Sequence, residues 1–176
     1  QLDDKGQEIK VYDPAEMYIK PYIKETIHPG LLVKNKQGDE YLVLTPACDI
    51  SQDKCDCLIL VKLIIFFNHT DLVTMKDKIK TKENELSDIS DENKRISLNE
   101  TIIKDKEKFK NLIRNYISNN KGDRYYFLPE FIDFNSKLID FQDIQAVDIK
   151  EIGSYEKIMT ISTPFMKDIQ AKFSSY

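Results

Sequence analysis

Ten consecutive residues, Leu58 to Phe67, are apolar apart from Lys62. The run is rich in β-branched and aromatic side chains and is too short for a buried helix, so it predicts an internal β-strand. Ten residues interrupted by a lysine cannot cross a bilayer as a helix, so no membrane span is expected. A strand buried on both faces needs neighbours on either side. The chain supplies them in two blocks, one before this run and one late in the sequence.

In the early block, His28-Pro29-Gly30 punctuates the chain. Leu31 to Val33 then reads as a strand, Asn35-Lys-Gln-Gly-Asp39 as a turn and Glu40 to Leu44 as the returning strand of a hairpin. In the late block, strands are expected at Arg124 to Leu128, Phe131 to Phe134, Leu138 to Phe141 and Ile144 to Ile149, with Asn135-Ser136 as a turn. Residues 1–27 are polar and broken by Pro14 and Pro21, which predicts an N-terminal arm or linker. The chain opens on Gln1, so it reads as part of a longer polypeptide with another domain ahead of it.

Between the blocks the composition changes. Twelve of the twenty residues from Lys76 to Arg95 are charged, which predicts a solvated helical excursion or a mobile loop. Ser97-Leu-Asn-Glu100 has capping-box spacing. Ile102, Phe109, Leu112, Ile113, Tyr116 and Ile117 follow at helical spacing, giving a helix over 98–119 stopped by Gly122. Thr163 as N-cap and Pro164 at the first helical position open a C-terminal helix that buries Phe165, Ile169 and Phe173. The expected fold class is α+β. A small bent sheet or partly open barrel spans residues 28–176 as one domain, with a helical insertion at about 75–121.

The formal net charge of −4 and the presence of only three arginines (Arg95, Arg114, Arg124) argue against a general nucleic-acid binder. Three cysteines cannot all pair, and Cys55 and Cys57 are too close for an ordinary disulfide, so a reducing cytoplasm is the simplest setting.

The polar candidates cluster after the first hairpin. In Thr45-Pro-Ala-Cys-Asp49, Asp49 can cap the turn through backbone N–H groups or reach Arg124. A cleft holding Asp49, Arg124 and Tyr125, with Thr45 and Cys48 beside it, would suit a small polar ligand or a partner. Cys48, Cys55, Cys57 and His69 are the metal alternative, although their spacing matches no standard zinc site. A Cys48 nucleophile would need His28 or His69 as its base. The aromatic runs Tyr125-Tyr-Phe127 and Phe131 to Phe141 suit a buried barrel wall better than a base-stacking surface. No cofactor is expected.

Two resemblances follow from these blocks. The order Gly30-Leu-Leu-Val, Tyr41-Leu-Val-Leu-Thr45, Leu58 to Ile65 and Leu138 to Ile149 resembles the SH3-like barrel of the MazF/PemK toxin family. That resemblance implies ribonuclease chemistry. However, Glu40-Tyr41 stands where that family has an arginine, and Val61-Lys62-Leu63 stands where it has a Thr or Ser. A cation for the developing phosphorane charge is therefore missing, and only Arg124, Lys62 and Asp49 are left as a polar centre. The second resemblance rests on Leu44-Thr-Pro-Ala-Cys-Asp49, Arg124-Tyr-Tyr-Phe-Leu-Pro129, Asp140-Phe-Gln142 and Pro164 to Phe173. These blocks resemble those of uncharacterised bacterial proteins, some attached to receiver-type domains, and imply an output or sensing domain. The expectation is a non-catalytic regulatory or interaction domain with a protein partner or an appended regulatory domain. A divergent MazF-like nuclease and a zinc-binding module are the alternatives.

Overall fold

Every strand pairing in the computed structural model is antiparallel. The structure describes residues 13–52 and 56–176. Seven strands form one sheet: β1 (Tyr18–Ile19), β2 (Leu31–Lys34), β3 (Glu40–Val43), β4 (Cys57–Ile65), β5 (Tyr125–Leu128), β6 (Lys137–Asp148) and β7 (Glu156–Ile161). Their order is β1-β7-β2-β3-β4-β6-β5. The fold is α+β, with the sheet curled into a half-barrel.

The first hairpin forms as the sequence predicts. Asn35 Oδ1 accepts from the Gln37 and Asp39 amides at 3.0 and 2.8 Å, and Gly38 takes φ +91°, which a Cβ would resist. Gly30 is equally constrained, because at φ +83° an added Cβ would lie 3.0 Å from the Ile161 carbonyl oxygen. Curling comes from two irregularities in register, at Val61/Leu63 in β4 and at Leu32/Val33 in β2. Bulges of this kind bend a strand and sharpen its twist.

Strand alternation divides the apolar residues between the two faces. Met159, Leu32, Leu42 and Val61 form one row across four strands, and the C-terminal helix packs on that face. This helix, α5 in chain order (Thr163–Ser175), buries Phe165, Met166 and Ile169. Ser162, one residue before the expected Thr163, is its N-cap. The opposite face collects Leu31, Val33, Tyr41, Val43, Leu58, Leu60 and Val147. Each fully buried leucine contributes about 1.5–3 kcal/mol.

Two expectations about the late block change. Leu138–Phe141 and the expected strand from Ile144, up to Asp148, belong to one strand, β6, because Gln142 and Asp143 run on exposed instead of turning, and Ile149 falls in the turn that follows. Phe131 to Phe134 is a tight turn, its two end residues exchanging backbone hydrogen bonds at 2.9 Å. That turn meets the N-terminal segment. The Tyr18 hydroxyl donates to the Pro129 carbonyl at 2.8 Å, and its ring packs on Phe131 and Phe134. Residues 13–27 therefore do more than link. Asp13 caps a short helix α1 (Pro14–Met17), and Met17 and Tyr18 enter the core. Residues 1–12 of the expected arm lie outside the described residues.

The charged excursion is a helical hairpin. After a short helix α2 (Ala47–Ser51) and β4, the chain forms α3 (Thr70–Asp88) and α4 (Glu92–Ile117), of 19 and 26 residues. Their lengths are about 28 and 39 Å. Asp91 caps α4 through the Asn93 and Lys94 amides. The expected box at Ser97 and Glu100 lies inside the helix, because a competent cap occurs six residues earlier. Asn119, at φ 58°, takes the left-handed position after α4, three residues before Gly122. Ile79, Ile102 and Asp105 are buried between the helices, with Lys82 and Lys78 at 2.7 and 3.4 Å from the Asp105 carboxylate. Among the described residues no helix is long and apolar enough to cross a membrane.

Candidate functional site

The densest polar cluster lies where the helical hairpin meets the sheet. A single 3-10 turn, Phe66–Asn68, follows β4 and delivers His69 as the N-cap of α3. His69 Nδ1 accepts from the Asp71 amide at 3.3 Å. The Tyr116 hydroxyl, from the end of α4, donates to Asp71 Oδ2 at 2.8 Å and lies 3.3 Å from His69 Nδ1. Its one proton goes to the carboxylate and Nδ1 is occupied by an amide, so the neutral imidazole carries its hydrogen on Nε2. Lys121 stands 3.6 Å from the same carboxylate and 5.5 Å over the Tyr116 ring.

The sheet supplies the other half of the cluster. Arg124 grips Asp140 of β6 bidentately, at 2.8 and 2.7 Å, and lies 4.8 Å over the Tyr125 ring. Register makes this pair, because Tyr125 stands opposite Asp140 and the Phe141 amide donates to the Arg124 carbonyl at 2.9 Å. The Tyr125 ring meets His69 edge-on at 5.0 Å and Tyr116 at 5.6 Å. Phe66, Leu72, Leu138 and Tyr116 form the apolar floor.

Burial dominates the electrostatics. It pushes the His69 pKa below its ordinary value, against the pull of Asp71 and Asp140. It pushes Tyr116 up, with the Asp71 hydrogen bond acting in the same direction, and raises Tyr125 as well. For Asp140, burial would raise the pKa, but the Arg124 bonds, the Gln142 amide and the Arg124 charge together hold it below the usual carboxylate range. The cluster thus links α3, α4, β5 and β6 through the Tyr116–Asp71 and Arg124–Asp140 bonds, an arrangement suited to fixing the hairpin on the sheet.

The His69 shift has a consequence for pH dependence. A histidine whose folded pKa is depressed binds its proton more readily in the unfolded chain. Its contribution is complete above the unfolded value of about 6.5 and is lost as pH falls through that value towards the folded pKa. The facing groups are Asp71, Asp140, Tyr116, Tyr125, Arg124 and Lys121. Thermal midpoints measured between pH 7.5 and 5 are expected to fall, and to fall less in His69→Gln. Equal slopes in both chains would contradict this.

The structure brings Arg124, Tyr125 and His69 together and leaves the other expected site residues elsewhere. Thr45 is buried and accepts from the Ile59 amide at 2.6 Å. Asp49 sits in the first turn of α2 and accepts from the Cys48 thiol at 3.4 Å. Ile59 pairs with Ala146, five residues along β6 from the Phe141 that meets Arg124, or about 17 Å by strand rise. The expected Asp49–Arg124 link is replaced by Arg124–Asp140. Lys62 has its own partner, Asp39 at 2.9 Å, so the alternative centre of Arg124, Lys62 and Asp49 is not assembled.

The metal set is likewise divided. Cys57 opens β4 and His69 lies beyond its far end, about 26 Å away by strand rise. Cys48 and Cys57 are exposed, and Cys55 lies outside the described residues. Among the described residues no group of three or more His, Cys, Asp or Glu side chains is placed to hold a metal ion. His28 is occupied at both ring nitrogens, by the Thr26 carbonyl at 2.8 Å and the Thr160 hydroxyl at 3.0 Å. An open depression of about 460 Å³ between Asp13–Pro14 and Glu130–Asn135 contains none of the candidate residues.

Sequence reasoning missed Asp140, Asp71, Tyr116 and Lys121 as polar partners. Asp140 left a signal, a carboxylate between Ile139 and Phe141 in an apolar strand. Tyr116 was legible only as part of a helical stripe, and Asp71 and Lys121 gave no signal. Comparison with protein-family models, curated proteins and solved structures finds no match for the chain.

Proposed function

We propose that this chain is a non-catalytic regulatory or interaction domain of a cytoplasmic bacterial protein, with the α3–α4 hairpin as its interaction arm. The observation that carries this reading is the hairpin itself. Its base is fixed to the sheet by the Phe66, Tyr116 and Leu138 cluster, while its distal turns, from Lys80 to Asn99, are almost wholly exposed. A long solvated arm on a sheet with its own core suits contact with another macromolecule. The pairing of Arg124 with Asp140 and of His69 Nδ1 with the Asp71 amide gives both side chains a structural role at the hairpin base, which is consistent with a non-catalytic domain. The half-barrel itself is proposed as a variant of the SH3-like barrel seen in the MazF/PemK family, on the order of its strands.

The test is incubation of the purified chain with mixed single-stranded RNA, products being read on a denaturing gel. No cleavage above a buffer control is expected. Cleavage above that control, whichever residue carries it, would overturn the proposal in favour of a nuclease.

A further inference from the structure

One margin of the sheet is left open. Strand β6 runs from Lys137 to Asp148, but β5 pairs only with residues 137–140 of it. Among the described residues no strand lies beside residues 142–148 on the side away from β4. A strand edge of this kind is a template for another extended chain.

Strand alternation decides which main-chain groups face the gap. The Leu44 amide donates to the Ile59 carbonyl at 2.9 Å, and the Ile59 amide donates to the Thr45 hydroxyl oxygen at 2.6 Å, so the main chain of Ile59 faces β3. Its neighbours Leu58 and Leu60 therefore face β6, opposite Val147 and Gln145. Ile149 keeps the same phase, its amide donating to the Asp56 carbonyl at 3.0 Å. The N–H and C=O groups of Ile144 and Ala146 consequently point to the open side. The bulge opposite Val61 and Leu63 sets this phase, because Phe141, on its other side, turns its amide outward to the Arg124 carbonyl. The Asp148 carbonyl is taken by the Glu151 amide at 2.9 Å, so Ile144 and Ala146 are the residues on offer.

The side chains specify the chemistry of what would bind. Ile144 stands opposite Val61 and Ala146 opposite Ile59, on the α5 side of the sheet. Ile59 and Ile144 are each 40% exposed, and Ala146 is exposed beside them. Asp143 and Asp148, both exposed, flank this apolar step. Lys62 feels the Asp143 charge but is bonded to Asp39 at 2.9 Å. We infer that this edge accepts an extended, basic segment of another protein as an added antiparallel strand, bonded to the main chain of Ile144 and Ala146. Main-chain bonds give such an addition its affinity, and alternate side chains give it specificity. A second copy would bring the same two carboxylates to the seam, in a chain of net charge −4, so charge selects a basic partner. The surface lies on the sheet and goes beyond the reading of the hairpin as an arm.

The probe is a fluorescein-labelled, amidated peptide, Lys-Thr-Val-Thr-Val-Lys-Thr. Its valines fall opposite Ala146 and Ile144, and its lysines opposite Asp148 and Asp143. A saturable rise in fluorescence anisotropy is expected with the full chain. Ala146→Pro removes one outward N–H that β4 does not use, and should weaken binding by about tenfold with an unchanged thermal midpoint. A probe methylated at both valine nitrogens leaves the protein untouched and should not bind, which keeps the test decisive should Ala146→Pro fold poorly. The pair Asp143→Lys and Asp148→Lys should weaken the parent probe by about tenfold and accept a probe carrying Glu in place of Lys. Absence of saturable binding, or equal binding of the methylated probe, would overturn the inference. Self-association that Ala146→Pro abolishes would also overturn it, by assigning the edge to a second copy. None of these results is read from RNA cleavage, so the two readings fail separately.

Discussion

Phe66→Ala is expected to cost about 3–5 kcal/mol, the range for deleting a fully buried phenylalanine. Phe66 is 1% exposed, and its ring lies 5.0 Å from Phe127 and 6.0 Å from Tyr116. It therefore joins three elements at once: the end of β4, strand β5 and the base of α4. The cavity cannot close easily, because the backbone at Phe66 is fixed by the hydrogen bond its N–H donates to the Ser136 carbonyl at 3.0 Å. A domain of this size is stable by about 5–15 kcal/mol, so the loss should be plain in a urea titration followed by far-UV circular dichroism. Phe67→Ala is the control. Its ring is 58% exposed, and a change of under about 1 kcal/mol is expected. Similar losses in both variants would show that the hairpin base is not anchored through Phe66.

Arg124→Ala should be the costliest polar substitution, at about 1–3 kcal/mol near neutral pH. It leaves the buried Asp140 carboxylate without its cation, but the Arg124 side chain is 41% exposed, so the loss is that of an unsatisfied buried acceptor and not of a fully buried ion pair. The Gln142 amide, 3.1 Å from Asp140 Oδ1, remains and places the expectation at the low end. The pH dependence identifies the cause. In the parent chain the Asp140 pKa is lowered in the folded state, so its contribution is present above the unfolded value of about 3.9 and is lost as pH falls through the folded pKa. Without Arg124, burial raises the folded pKa, and lowering the pH lets Asp140 fold as the neutral acid. The gap between variant and parent should therefore narrow from pH 7 to pH 4. Adding Asp140→Asn to Arg124→Ala should recover part of the loss. A gap that is constant with pH would point to lost packing on Tyr125 instead.

The legible parts of this fold were those decided locally. The first hairpin follows from Asn35 to Asp39, whose side chains and glycine determine the turn whatever surrounds it. Strand β4 follows from its uninterrupted apolar run. Element ends were read less well, because several residues offered the same chemistry. Asp91 capped α4 ahead of Ser97, and Asn119 ended it ahead of Gly122. The continuity of β6 depended on Gln142 and Asp143 being carried between paired neighbours, which alternation alone does not reveal. For the polar cluster, the three candidates Arg124, Tyr125 and His69 were visible as residues but their partners were not. Asp140 reaches Arg124 through β5–β6 register, and Tyr116 reaches Asp71 only when the hairpin folds back, so both pairings are tertiary facts.

On the proposed reading the sheet folds by itself and carries the distal hairpin as an arm for contact. The most direct test of that reading is the thermal melt of a chain in which residues 83–101 are replaced by a short Gly-Asn turn. Ile79, Lys82, Ile102 and Asp105 remain in this variant, and both sheet cores are untouched. The account predicts one cooperative transition within about 5 °C of the parent, equivalent to about 1–2 kcal/mol at this size. Loss of the cooperative transition would show that the distal hairpin is part of the folded core and would contradict the account.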